Sequence, residues 1–149
     1  MKNFPWNTFF RAFLPPFFVF FLHTCLMLIF HIYRYFPNFD IAAHLAGGAA
    51  IGYTAFKLKH LAEVRGLLNI QSTHILFFGI LFVVNFFAVL WEFHEFFLDF
   101  YFGTHMQEGI ADTMQDLFFG MLGGSIVSIF HLFKPKRWVH KWIDKRQKM

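Results

Sequence analysis

The stretch Ser72–Leu90, STHILFFGILFVVNFFAVL, decides the fold class, and the residues that follow it, Trp91–Phe100, WEFHEFFLDF, raise the question of function. A helix needs ~20 mainly apolar residues to cross the hydrocarbon core of a bilayer, and the run from Thr73 to Leu98 supplies them. Its last turns nevertheless carry Glu92, Glu95 and Asp99. The backbone dipole disfavours anions at a helix C-terminus. Insertion costs an acid roughly 2.5–3.5 kcal/mol at a span's centre and less toward its end. Glu92 and Glu95 also stand one turn apart and repel.

Composition points the same way. Of the 149 residues 57% are hydrophobic and only 15% charged, more apolar surface than so short a chain could bury in water. The expected fold is all-α: a polytopic membrane protein and a four-transmembrane-helix bundle, forming a single membrane domain over 1–149. The spans are expected at about 17–36, 41–59, 73–98 and 113–133, with a basic cytoplasmic tail at 134–149. Trp6, Phe9, Phe10 and Phe13, ahead of Pro15 and Pro16, suit a short interfacial segment. Lys2 and Arg11 precede the first span as in a signal peptide, but that span is too long for an h-region and is read as retained. The lone Cys25 excludes a disulfide framework.

Basic residues fix an expected orientation. Lys2 and Arg11 precede the first span; Lys57, Lys59 and Arg65 follow the second; seven more lie between Lys134 and Lys148. With four spans all three groups fall on one side, which predicts N-in, C-in. The tail then reads as an orientation signal and a contact with anionic membrane lipids, and no nucleic acid is expected. Asp40, Glu92, Glu95, Asp99, Glu108, Asp112 and Asp116 collect at the opposite, outer side, where Arg34 is the one fixed cation.

Residues four apart share a helix face. Asp40, His44, Gly48 and Gly52 do so in the second span, and Asp112, Asp116, Gly120 and Gly124 in the fourth. The glycines Gly48, Gly52, Gly120 and Gly124 are expected to pack helix on helix, which turns the acids above them into the bundle. The matched pattern also suggests two duplicated hairpins related by an axis along the membrane normal. Asp40 and Asp112 stand where N-caps are favoured, and Asp112 with Gln115 has capping-box spacing. His23 and His31 read as interhelical hydrogen-bonders. Glu92 and Glu95 have no capping role to explain them, and Arg34 alone cannot balance the acids around it. A divalent metal ion is the economical solution, with proton sharing as its rival. The expected ligands are Glu92, Glu95, Asp116 and His44, followed by Asp40 and Asp112, with Mg²⁺, Mn²⁺, Fe²⁺ or Zn²⁺ as the ion. His94, His105, Arg34, Asp99 and Gln115 stand ready to support that set.

DIAAHLAGG (40–48), WEFHE (91–95) and DTMQDLFFG (112–120), taken together, resemble the pattern of YjdF-type small bacterial inner-membrane proteins, relatives of the VanZ-like family. The resemblance covers about the last 110 residues and maps onto Asp40, His44 and Gly48, then Glu92 and Glu95, then Asp112, Thr113 and Asp116. It implies a multi-pass protein of the bacterial inner (cytoplasmic) membrane and little about chemistry. The residues themselves suggest a metal-dependent enzyme acting on a lipid or envelope precursor at the outer leaflet. The alternatives are an accessory subunit with a protein partner or as a homo-oligomer, and a proton or cation transporter. No nucleophile motif or phosphate loop is present for the first, and no complete polar path for the last.

Overall fold

The computed structural model describes residues 5–133, and these form helices without any strand. Lys2 and the basic tail 134–149, with its expected lipid contact, lie outside the described residues. The elements are α1 (Trp6–Ala12), α2 (Leu14–Phe30), α3 (Phe39–Val64), α4 (Thr73–Phe102) and α5 (Ile110–Leu132), with a 3-10 turn at Ile32–Arg34. Three stretches are long and apolar enough to cross a membrane: Trp6–Phe30 (α1 and α2 taken together), Thr73–Phe102 and Ile110–Leu132. α3 has the length, at 26 residues, but its glycines, histidines and lysines keep it out of that group.

Boundaries follow local chemistry. Pro15 and Pro16 sit in the first turn of α2, where a missing N–H costs nothing. α2 ends at Phe30, not at the expected Phe36, because His31 turns left-handed at φ 48° and returns its N–H to Leu26 and Met27. α4 starts after Ser72, whose hydroxyl accepts from the Ile75 N–H, and runs past Leu98 to Phe102. It stops at Gly103, whose φ of 62° suits a residue without Cβ and whose N–H reaches the Asp99 carbonyl. α3 extends beyond 41–59 at both ends.

α3 is the hub and touches each of the other four helices. Its contact with α5 is backbone on backbone: a Cβ on Gly48 would lie 1.8 Å from the Gly120 carbonyl oxygen, and one on Gly123 would lie 2.0 Å from that of Leu45. A Cβ on Gly52 would come 3.3 Å from Gly124 Cα, so 48 faces 120 and 52 faces 124 in parallel register. One turn outward that register sets His44 beside Asp116. α4 closes over the pair with a buried stripe of Leu76, Ile80, Val84, Ala88, Glu92 and Glu95, whose steps of three or four residues keep one helix face inward. At the far end Thr54 Oγ1 donates to the Ala12 carbonyl at 2.6 Å and ties α1 to α3. Phe17, Phe18, Phe21, Phe78, Phe82, Phe86 and Phe130 all point outward and are more than half exposed. So large an exposed apolar surface is an aggregation liability in water and a suitable one against lipid tails.

Candidate metal centre

The first turns of α3 and α5, the last turns of α4 and the end of α2 meet at one end of the bundle. There Asp40, His44, Glu95 and Asp116 each offer a donor atom, and these atoms lie within 4.8 Å of one another. Glu95 and Asp116 are 0% exposed, His44 1% and Asp40 6%. His44 Nε2 stands 3.4 Å from Asp40 Oδ1 and 3.7 Å from Glu95 Oε1. Two donors held at ~2.1 Å by one ion are separated by roughly 3–4 Å, so the set needs little contraction to close on a cation.

Distance, more than hydrogen bonding, separates donors from supports. Asp40 Oδ1, His44 Nε2, Glu95 Oε2 and both oxygens of Asp116 are buried and make no hydrogen bond; the same is true of Glu92 Oε1, which lies outside the four-residue group. Trp91 Nε1–H donates to Glu95 Oε1 at 2.8 Å, the same oxygen that lies 3.7 Å from His44 Nε2, while Oε2 is buried without a hydrogen bond. Glu92 Oε1 lies 3.8 Å from His44 Nδ1, the side on which a metal-bound imidazole usually has a carboxylate partner. Glu92 Oε2 accepts from Gln107 Nε2 at 3.2 Å, and that same amide donates to Thr113 Oγ1 at 2.7 Å. Glu92 therefore stands behind His44 rather than among the four grouped donors.

Charge makes the grouping costly unless something neutralises it. Asp40, Glu92, Glu95 and Asp116 face two imidazoles, His44 and His23, and no lysine or arginine pairs with them among the described residues. Desolvating an unpaired ion costs several kcal/mol even after relaxation. Three carboxylates and one imidazole, without thiolate, form a hard-to-borderline donor set that fits Mg²⁺, Mn²⁺, Fe²⁺ or Zn²⁺.

Several expected residues lie elsewhere. Asp112 is only partly buried, and its Oδ2 accepts the Glu108 N–H at 3.0 Å instead of joining the cluster. The capping roles are corrected as well: α3 is preceded by Asn38 and α5 by Gly109, neither with a side-chain cap bond, and Gln115 is exposed. Asp40 and Asp112 instead occupy the first turns, where the helix dipole still favours them. Arg34 and His105 are exposed. Asp99 binds the loop after α4, accepting from Thr104 Oγ1, from the Met106 N–H at 2.7 Å and from the Gln107 N–H at 2.8 Å. It thereby seats Gln107 against Glu92. His94 packs its ring on Phe20, with Nδ1 buried and unbonded.

Tyr33, Trp91 and Gln107 join the site without having been expected there, and His23, expected as an interhelical hydrogen-bonder, reaches it too. His23 Nε2 lies 2.8 Å from the Tyr33 hydroxyl and 3.3 Å from Asp40 Oδ1. Burial, and after it the charge of Asp40, raises the Tyr33 phenol well above its ordinary range, so it keeps its proton. The spacing of Trp91 one turn before Glu95 was the available signal for the indole; the others come from separate elements and left none.

A family model described as "Predicted membrane protein (DUF2238)" matches residues 3–137. No curated protein and no solved structure matches significantly.

Proposed function

We propose, for a chain that belongs to the DUF2238 family of predicted membrane proteins, a multi-pass membrane protein that holds one divalent cation between Asp40, His44, Glu95 and Asp116. The observation that carries this reading is Asp116: fully buried, with neither oxygen hydrogen-bonded, facing three further donor residues. In this reading α3 is a fourth span, since 26 residues at ~1.5 Å each exceed the ~30 Å hydrocarbon core. The positions of the basic residues support N-in, C-in, which puts the metal end on the outer side. The motif resemblance to YjdF-type proteins supports the bacterial inner membrane.

The ion's chemistry would be that of a Lewis acid able to polarise an ester or phosphoryl oxygen of a lipid or envelope precursor. Trp91 orients Glu95 through its indole N–H, and Glu92 stands beside His44. Glu92, with Oε1 unbonded and outside the grouped donors, is the carboxylate placed to accept a proton. A second reading, an ion with a purely structural role in an accessory subunit, is favoured by the complete burial of Glu95 and Asp116, since closed sites are typical of structural metals.

Metal content of the protein purified in detergent, measured beside Asp116→Asn and Glu95→Gln, tests the binding claim. About one divalent ion per chain is expected, lost in both variants while each still elutes as a folded species. A wild type without metal after incubation with Mn²⁺, Fe²⁺, Zn²⁺ or Mg²⁺ would leave proton sharing as the account of the cluster.

A further inference from the structure

Near the metal centre, side chains of α2 and α4 meet: Phe20 packs on Trp91 and His94, with ring centroids 5.1 and 4.7 Å apart. Away from it the two helices part, and each packs on α3 instead. The gap is a half-open groove of about 390 Å³, large enough for a ligand by the usual range of ~300–1,000 Å³. Its floor is one stripe of α3 that includes Gly47, Ile51 and Leu58; Phe17 of α2 and Phe87 and Leu90 of α4 form its sides.

Its chemistry is almost wholly apolar. Thr54 is the single hydroxyl in the lining, and that group already donates to Ala12. From Gly47 to Leu58 the floor runs roughly 16 Å at the helical rise, close to the ~15 Å depth of one leaflet. Both flanking helices are apolar enough to cross a membrane, so the medium at the open side is hydrocarbon. Trp91 closes the outer end. Its ring fills the space above Gly47, where a Cβ would come 2.7 Å from Cζ3, and its N–H holds Glu95. One turn beyond, His94 Nδ1 is a buried polar atom without a partner.

We propose that this groove seats one acyl chain of a membrane phospholipid, with the lipid's head group at the Trp91–His94 end beside the metal centre. The tail site stands on the groove alone; the placing of the head rests on the metal reading above. The groove ends at Trp91, so the tail's polar end is brought to the side chains of Phe20, Trp91 and His94 that lie between the groove and the metal centre.

The test uses the full chain in phosphatidylethanolamine–phosphatidylglycerol vesicles containing a phospholipid with a diazirine at the end of one acyl chain. Irradiation and peptide mapping should place adducts at the inner end of the groove, on Phe13, Phe17 or Leu58. Leu90→Trp, at a partly exposed position that can fill the groove from α4, should reduce them at least tenfold, and Ala55→Phe does the same from the floor. Adducts spread evenly over outward residues such as Phe82 and Phe86, or unchanged in whichever filling variant folds, overturn the tail site. Adducts concentrated on Trp91 and His94 overturn its direction. Metal content read on the same samples separates the two claims: groove labelling without metal refutes the metal centre alone, and metal without groove labelling refutes the lipid site alone.

Discussion

Gly48→Ala and Gly120→Ala delete the same motif on paired helices, yet the geometry predicts opposite outcomes. A Cβ on Gly48 points at the Gly120 carbonyl oxygen from 1.8 Å, whereas one on Gly120 meets Ala88 Cβ at 3.5 Å, an ordinary contact. Contacts below 3.0 Å are essentially never made by a real Cβ, so Gly48→Ala must push α3 and α5 apart by about 1.2 Å at that crossing. Forced overpacking of this kind costs roughly 1–3 kcal/mol. His44 and Asp116 lie one turn from the crossing, and metal–donor distances tolerate deviations of only ~0.2 Å. Gly48→Ala should therefore melt lower in detergent and weaken metal affinity by about 100-fold, at the upper end of losses seen when a site's supports are removed. Gly120→Ala should keep both properties, helped by the ~0.5–1 kcal/mol by which alanine is favoured over glycine in a helix. Thermal unfolding followed by size-exclusion chromatography and competitive metal titration read the two effects. If the two variants behave alike, the reasoning from the α3–α5 register is wrong.

Three further outcomes follow from the site. Glu92→Gln should weaken metal binding by about 10–100-fold, as expected of a supporting carboxylate, whereas Glu95→Gln should abolish it; titration with a fluorescent competitor distinguishes the grades. Asp99→Asn keeps one acceptor oxygen but gives up the charge that receives three donors, so amide exchange at Met106 and Gln107 should accelerate at least tenfold while the core of α4 stays protected. Binding requires a neutral His44 and ionised carboxylates, so protons compete with the metal: the apparent dissociation constant should rise as pH falls, and isothermal titration in two buffers should register proton release on binding.

The helices were legible because hydrophobic runs and i, i+4 stripes are local. The stripe Asp40–His44–Gly48–Gly52 and its counterpart Asp116–Gly120–Gly124 predicted which faces meet, and these glycines lie against one another. Helix ends were less readable. His31 stops α2 by adopting a left-handed conformation that histidine rarely takes, and α4 runs past the expected Leu98 to Phe102, where Gly103 ends it. At the site, Asp112 was expected beside Asp116 from spacing alone; its carboxylate turns back to the Glu108 N–H, a bond that depends on the loop before α5. His23, Tyr33 and Gln107 come from α2, the 3-10 turn and a loop, and no pattern within one helix brings them to Asp40 or Glu92. Glu92 and Glu95 looked equivalent in sequence. Trp91 on one and Gln107 on the other separate a donor from its support.

X-ray absorption at the edge of the ion retained by the purified protein tests the central claim most directly. The account predicts about one ion per chain, with light donors at ~2.0–2.2 Å and an outer-shell pattern of a single imidazole that disappears in His44→Ala. A retained ion with a sulfur or water-only shell, or an imidazole pattern unaffected by His44→Ala, would contradict it.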